Sequence, residues 1–215
     1  METPHRVIAI DGPAASGKST VARLLAKRLG FVYINTGAMY RAVTWLALRH
    51  GIDPSDAQSV GALLDATPME FGVAGAEGTI RMEGIDPSAH LNDPDVAAHV
   101  PSIAAIPKVR EVLVARQREY ARHADLVMEG RDIGSVVFPD TPLKAYIDAS
   151  EEVRAKRRAD QGLRDDLAAR DKKDSTRTAA PLKIAEGAHV IDSTCLTAEG
   201  VVEEVVRRLG LSASS

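Results

Sequence analysis

The stretch "IDGPAASGKST", residues 10–20, decides the fold. From Gly12 to Ser19 it fits the pattern G-x-x-x-x-G-K-[ST], whose glycines let backbone N–H groups turn inward around phosphate oxygens. The apolar run "RVIAID", residues 6–11, predicts a buried strand before it, and apolar residues at helical spacing predict a helix that ends at Gly30. A chance glycine-rich turn would not need both neighbours. The stretch therefore predicts a strand–loop–helix unit that binds a nucleoside triphosphate.

Roles within this loop follow from the chemistry of its side chains. Lys18 can reach the outer phosphates, and Ser19 has the hydroxyl that Mg²⁺ requires. The positive N-terminus of the following helix faces the same anion. The predicted triphosphate-binding residues are Gly12, Pro13, Ala14, Ala15, Ser16, Gly17, Lys18, Ser19 and Thr20.

Strand-like and helix-like segments alternate along most of the chain. After the first strand, four further apolar runs lie at residues 31–35, 125–130, 143–148 and 188–192. This alternation predicts an α/β fold with a five-stranded parallel sheet and helices on both of its faces. Ligands of such doubly wound sheets bind beyond the carboxyl ends of the strands.

The middle of the chain departs from this alternation. Residues 69–75 and 79–84 alternate like the two strands of a hairpin, and we interpret residues 52–100 as a small lobe inserted into one domain that spans residues 1–215. Residues 100–123 then predict one long amphipathic helix.

Composition excludes several classes of protein. The chain has 215 residues, 45% hydrophobic and 27% charged, with a formal net charge of −3. This balance is typical of a globular protein and argues against a nucleic-acid partner, which needs a basic surface. Cys195 is the single cysteine, so an intrachain disulfide and a cysteine-rich zinc site are excluded. No run has the length of a membrane span and the N-terminus lacks a signal-peptide pattern, so we expect a cytoplasmic protein without a membrane partner.

A polar loop follows the second predicted strand, in "NTGAMYR", residues 35–41. In a parallel sheet this loop lies beside the phosphate loop, where Thr36 and Arg41 could hold a second anion. The alternative is that Thr36 caps a helix and Arg41 is a solvated surface residue.

Charged residues also follow the third and fourth core strands. Arg131 and Asp132 lie where the site should be, although they could instead form a turn or a local ion pair. The later charged residues could belong to an exposed helix, but arginines near the site would stabilise the charge of a phosphoryl group in transfer. These later residues are Arg154, Arg157, Arg158, Arg170, Asp174 and Arg177.

Five stretches in this order, taken together, resemble the bacterial cytidylate kinases over nearly the whole chain. They are "IDGPAASGKST", "NTGAMYR", "PKVRE", "GRDIGSVVFPD" and "RDKKDSTRTAAPL". The resemblance implies a P-loop kinase that moves the terminal phosphoryl group of ATP to CMP or dCMP, with Mg²⁺. It also implies that residues 52–100 bind the monophosphate and that residues 151–172 form a short mobile lid.

The resemblance also implies residue roles. Arg41 and Arg131 would hold the acceptor phosphate, with Thr36 beside them. The cytosine would be read by Ser102, Arg110 and Asp132, while Asp174 and Arg177 would serve its sugar and base side. The implied catalytic residues, of which the last three would close over the phosphates, are Lys18, Arg131, Arg154, Arg158 and Arg170.

The chemistry of the base agrees with this assignment. Cytosine carries an amino donor where uracil has a carbonyl, so a carboxylate acceptor at Asp132 would favour cytosine. Two positions depart from the family pattern: Asn35 stands where the family usually has aspartate, and Glu129 precedes "GRD" where aspartate is common. Glu129 could order the waters of Mg²⁺.

Two other functions share the phosphate loop. A kinase for another monophosphate or a small hydroxy acid would have the same loop and sheet, although the inserted lobe with its arginines favours a monophosphate. A GTP switch would need an N-K-x-D motif and a D-x-x-G after a strand, and we find neither. Nothing in the patterns demands a protein partner, and we expect a monomer.

Overall fold

A computed structural model describes residues 5–160 and 182–211 of the chain. Its described part contains one sheet of seven strands, in the order β3-β4-β2-β5-β1-β6-β7. The strands are β1 (Val7–Asp11), β2 (Val32–Asn35), β3 (Met69–Ala74), β4 (Glu77–Met82), β5 (Leu126–Gly130), β6 (Lys144–Asp148) and β7 (His189–Asp192).

Helices connect most of these strands. The α-helices are α1 (Lys18–Leu29), α2 (Thr36–Arg49), α3 (Ala57–Ala66), α4 (Pro94–Ala105), α5 (Pro107–Tyr120), α6 (Glu151–Asp160) and α7 (Ala198–Arg208). A short 3₁₀ turn spans Ser88–His90 and a π-helical turn spans Ile133–Val137. None of the described helices is both long and apolar enough to cross a bilayer.

The first strand is central to the sheet. It pairs in parallel with β5 on one side, where Asp11 lies opposite Gly130, and with β6 on the other, where Asp11 lies opposite Tyr146. The chain order reverses across β1, since β5 and β2 lie on one side of it and β6 and β7 on the other. The phosphate loop thus leaves the sheet at its switch point, where ligands of this architecture bind.

The two faces of the sheet bury two separate apolar clusters. Along β1, Val7 and Ala9 point into a cluster that includes α2, α4 and α5, while Ile8 and Ile10 point into one that includes α1 and α7. Alternation of side chains along a strand sends successive residues to opposite faces. The prediction of helices on both faces is confirmed.

Two details of the predicted fold are wrong. The sheet has seven strands rather than five, because the hairpin β3–β4 adds to its edge: β4 pairs in parallel with β2, at Tyr33 and Glu77. The segment 100–123 is not one helix but parts of α4 and α5, which break at Ile106. Proline disfavours a helical conformation in the residue before it, and Pro107 instead opens α5.

The phosphate loop begins with a close approach of two backbones. A Cβ added at Gly12 would lie 2.1 Å from the carbonyl oxygen of Ile147 in β6. This contact cannot be relieved by a side-chain rotation, because the obstacle is backbone of a buried strand. Glycine at this position is therefore required by packing.

Gly12→Ala tests this contact. We expect it to lower the free energy of unfolding by about 3 kcal/mol or more, since either β6 or the phosphate loop must move. The matched control is Gly61→Ala in α3, where the added Cβ meets nothing closer than Lys108 Cγ at 3.8 Å. That helical change should stabilise by about 0.5–1 kcal/mol. Urea unfolding followed by circular dichroism measures both, and an equal effect of the two changes would contradict the argument.

Candidate active site

A cleft of about 850 Å³ opens at the carboxyl ends of the central strands. The phosphate loop lines it at residues 14–17, and the start of α1 continues the wall with Lys18, Ser19 and Thr20. The start of α2, directly after β2, and the loop after β5 line the cleft as well. The parallel strands bring these three segments together because their carboxyl ends meet at one edge of the sheet.

Lys18 is buried at the floor of this cleft. Its Nζ donates to the carbonyl oxygen of Pro13 at 2.7 Å, so the ammonium lies across the phosphate loop. Ser19 and Thr20 beside it are exposed on the cleft. A cation, hydroxyl groups and the N-terminus of α1 therefore converge where an anion can bind.

Two arginines of α6 hold the phosphate loop by its carbonyl oxygens. Arg154 Nη1 donates to Ala14 O at 3.3 Å, and its Nε donates to Ala149 O at 3.1 Å. Arg157 Nη1 donates to Ser16 O at 3.2 Å. Within a peptide unit the C=O and the next N–H point in opposite directions. Each of these bonds therefore helps to fix the orientation of an amide of the loop.

Arg157 also ties the phosphate loop to the loop after β7. It donates through Nη2 to Ser193 O at 2.9 Å and through Nη1 to Ser193 Oγ at 3.1 Å. Ser193 Oγ donates in turn to Ser16 O at 2.9 Å. Arg157 and Ser193 both line the cleft. Three segments distant in sequence thus share one hydrogen-bond network.

The start of α2, directly after β2, places a cation in the cleft. Asn35, not Thr36, is the N-cap of α2, since its side chain accepts from Ala38 N at 3.0 Å. Thr36 Oγ1 instead donates to Glu129 O at 2.8 Å, which joins the start of α2 to β5. Arg41 is half-buried and lines the cleft, so it is not a solvated surface residue.

The loop after β5 carries a buried ion pair. Arg110 from α5 pairs with Asp132, and both side chains are less than a tenth exposed. The Arg110 guanidinium also lies over the ring of Tyr40, 5.8 Å from its centroid. Arg131 is half-buried beside this pair and lines the cleft with it. A neighbouring cation and carboxylate fixed before a ligand arrives can read the polar edge of a base.

Asp11, at the end of β1, is hydrogen-bonded to the segment that follows β5. Its Oδ1 accepts from Ile133 N and its Oδ2 from Gly134 N, both at 2.8 Å. Burial raises the pKa of Asp11 to about 6, with a further contribution from the Asp132 carboxylate, while the two amides and Lys18 favour the charged form. Burying a charged carboxylate costs solvation free energy, and the hydrogen bonds from two backbone amides offset part of that cost.

The buried side chain of Glu129 also lines the cleft. Glu129 is the penultimate residue of β5, and its Oε1 accepts from the hydroxyl of Tyr33 at 3.0 Å. Burial and this neighbouring carboxylate raise the pKa of Tyr33, so the phenol stays protonated and acts as the donor. Glu129 is thereby held in one orientation at the cleft wall.

Comparisons with known proteins place this chain in a family. A sequence profile described as "Cytidylate kinase" matches residues 8–210. The chain belongs to the cytidylate kinase family. A cytidylate kinase of Streptococcus pneumoniae (strain 70585) is 45% identical over 210 residues, which cover 92% of this chain and 94% of that protein. A cytidylate kinase of Corynebacterium efficiens is 43% identical over 96% of this chain and 95% of its own.

A solved structure supports the fold independently. A gluconokinase from Sinorhizobium meliloti 1021 superposes with a TM-score of 0.52 at 15% identity, covering 99% of this chain and 95% of that chain. At this identity the likeness concerns the fold alone. The cytidylate kinase family assignment therefore rests on the sequence comparisons, and the fold on both.

Most predicted site residues lie in the cleft of this cytidylate kinase family member. The described residues that line it, besides those of the phosphate loop, include Thr36, Arg41, Arg110, Arg131, Asp132 and Arg158. Ser102 is half-buried on α4 outside the lining, although Pro101 before it lines the cleft. Arg154 is buried against the phosphate loop rather than in the cleft. Arg170, Asp174 and Arg177 lie outside the described residues.

Sequence reasoning gave Asp11 no role in the site, and it did not distinguish Arg157 from the other arginines that could stabilise a phosphoryl group in transfer. Arg157 was one of several arginines in a charged helix, and only its contacts single it out. Asp11 is the last residue of the predicted first strand. A charged residue at the end of an otherwise buried apolar strand, directly before the phosphate loop, was the available signal.

The raised pKa of Asp11 predicts a pH dependence of stability. The folded protein binds this proton more tightly than the unfolded chain, so the contribution of Asp11 to stability is present in full below about pH 4 and is lost as pH rises through about 6. From about pH 7.5 to about pH 5, the free energy of unfolding of the wild type minus that of Asp11→Asn should increase by about 1 kcal/mol. Urea unfolding at both pH values measures this difference, and a constant or decreasing value would contradict it.

Proposed function

We propose that this chain transfers the terminal phosphoryl group of ATP to CMP or dCMP, giving ADP and CDP or dCDP. One observation carries the proposal: the phosphate loop and the buried Arg110–Asp132 pair line the same cleft. The first suits a nucleoside triphosphate and the second suits the polar edge of a second nucleotide's base. Membership of the cytidylate kinase family supplies the identity of that base.

On the donor side, Lys18 and the backbone amides of the phosphate loop bind the phosphates of ATP. The residues present fit a magnesium ion, because Ser19, which carries a hydroxyl, is exposed on the cleft and Glu129, which carries a carboxylate, lines the same cleft. Mg²⁺ takes oxygen ligands and keeps several of its waters, so Ser19 would bind it directly and Glu129 through water. Bound with ATP, it would neutralise charge on the outer phosphates.

On the acceptor side, Arg41 and Arg131 clamp the phosphate of CMP, with Thr36 beside them. Asp132 accepts from the amino group of cytosine, and Arg110 donates to its O2 and N3. Ser102, Asp174 and Arg177 complete the contacts of base and sugar. The proposal is supported by the half-buried position of both phosphate-binding arginines on the cleft.

The lobe at 52–100 and the lid at 151–172 close over both nucleotides and exclude water, which would otherwise hydrolyse ATP. Arg158 and Arg170 approach the transferred group during this closure. Arg154 acts differently: its bond to Ala14 O supports a role in shaping the phosphate loop rather than in touching phosphate.

The reaction needs alignment and neutralisation more than proton transfer. The phosphate of CMP is already an anion and attacks the terminal phosphorus of ATP as a nucleophile. Lys18 and the arginines then stabilise the charge that spreads over the moving group.

We propose that the protein works as a monomer in the cytoplasm, and light scattering of the purified chain tests its oligomeric state.

A coupled ADP-release assay tests the proposed activity. ATP is offered with CMP, dCMP, UMP, AMP, GMP or shikimate as the acceptor. We expect the highest kcat/KM with CMP or dCMP. Highest activity with one of the other acceptors would replace the proposal by the kinase for that acceptor.

Lys18→Ala should lower kcat by several orders of magnitude while the fold survives. The ammonium is the buried cation of the phosphate loop, and no other side chain of the loop carries positive charge. The matched control is Lys27→Ala, an exposed lysine on the same helix, which should keep wild-type turnover. Near-normal turnover of Lys18→Ala would remove this residue from the mechanism.

Asp132→Asn should lower the preference for CMP over UMP by about ten-fold or more, because the amide can donate to the carbonyl of uracil as well as accept from cytosine. The measurement is the ratio of the two kcat/KM values. A general loss of activity cancels in this ratio, so an unaltered ratio would refute the assignment even if the variant is slow.

A further inference from the structure

One carboxylate connects the two loops that the proposed reaction must align. Asp11 directly precedes the first glycine of the phosphate loop, and its oxygens accept from Ile133 N and Gly134 N. Those two amides directly follow Arg131 and Asp132 in the chain. Asp11 therefore links the start of the phosphate loop to the Arg131–Asp132 loop through both of its carboxylate oxygens. This link is additional to the backbone pairing of β1 with β5.

The link is rigid for two reasons. Asp11 is only 3% exposed, so water does not compete for its oxygens. Its acceptors are engaged by adjacent backbone amides at the start of the π-helical turn Ile133–Val137, which fixes the direction of the turn as well as its distance. Arg118 of α5 holds the other end of the turn, donating to Val136 O and Val137 O at 2.9 Å.

We propose that Asp11 is a positioning residue of the phosphoryl transfer, whose carboxylate sets the Arg131–Asp132 loop against the phosphate loop. The inference rests on the proposed function, since it assigns the acceptor to one loop and the donor to the other. Asp11 touches neither nucleotide in this account. It acts on the distance and angle between them, to which transfer rates are sensitive: a misplacement of about 1 Å can cost about 100-fold.

A carboxylate elsewhere in the same strands provides a matched control. Asp125 directly precedes β5, and it accepts from Arg6 N at 2.7 Å and Arg6 Nε at 2.9 Å, directly before β1. It therefore ties the same two strands at their amino ends, whereas the cleft lies at their carboxyl ends. If the only role of Asp11 were to hold β1 against β5, replacing Asp11 or Asp125 should have the same effect on kcat.

The experiment compares Asp11→Asn with Asp125→Asn. An asparagine keeps one acceptor oxygen and turns an NH₂ group toward the second amide, so half of the link is lost. We expect Asp11→Asn to lower kcat by about 10- to 100-fold. The dissociation constants for ADP alone and CMP alone, from titration calorimetry, should each change by less than about three-fold. Asp125→Asn should keep the wild-type kcat.

A second measurement follows the link itself and needs no activity. Amide hydrogen exchange, observed by NMR, should become at least about ten-fold faster at Ile133 and Gly134 in Asp11→Asn, and should be unchanged there in Asp125→Asn. If Asp11→Asn does not fold, Asp11→Ser takes its place, because its hydroxyl keeps a single acceptor near the same position.

The outcomes separate this inference from the proposed function. Wild-type kcat in Asp11→Asn, an equal loss in both variants, or unchanged exchange at both amides would each overturn the positioning role. A loss that appears wholly in the affinity for one nucleotide would overturn it too, since alignment acts on the bound pair. If the wild type does not phosphorylate CMP, the proposed function fails, and amide exchange still decides whether Asp11 holds the loop.

Discussion

The hydrogen bonds from Arg154 and Arg157 to the carbonyl oxygens of Ala14 and Ser16 are the constraint on which the site depends. A loop that binds phosphate through its amides must keep those amides turned toward the ligand, although each would otherwise find a partner within the protein. Cations that hold the carbonyls fix the peptide planes and so the amides. Because both arginines come from α6, the shape of the donor site also depends on the position of that helix.

This arrangement joins the donor site to the rest of the catalytic domain. Arg157 reaches Ser193 beyond β7 as well as the phosphate loop, so the edge of the sheet contributes to the cradle. The helix that carries both arginines begins the segment 151–172 that we propose as the lid. Movement of that segment would therefore displace the carbonyl oxygens of the phosphate loop through these hydrogen bonds, even without a contact to phosphate.

Buried charges organise the cleft and the residues that support it. Arg110 and Asp132 are paired and almost fully buried, Glu129 is held by Tyr33, and Asp11 is held by two amides. Each of these groups loses solvation in the fold, and each has a partner that fixes its direction. Polar groups fixed in advance need no reorganisation when charge develops in the cleft, which is the usual source of electrostatic catalysis.

Sequence patterns predicted those parts that depend on neighbours in the chain. The strand, loop and helix around Lys18 form one local motif, and the alternation of strand-like and helix-like segments predicted a sheet with two covered faces. The break at Pro107 is also local: the steric rule for the residue before proline indicates it, although residues 100–123 were predicted as one helix. The addition of the hairpin β3–β4 to the sheet edge was not local, because it depends on the pairing of Tyr33 with Glu77.

The sequence by itself therefore determined the phosphate loop, the α/β class and the family, since each is encoded in short segments whose order survives without coordinates. Only the tertiary structure decided which charged side chains face the cleft and which support it. Arg154, Arg157 and Arg158 are close in sequence, but the first is buried against a carbonyl and the other two line the cleft. The direction of a side chain depends on what packs around its helix, and that is settled by contacts between residues far apart in the chain.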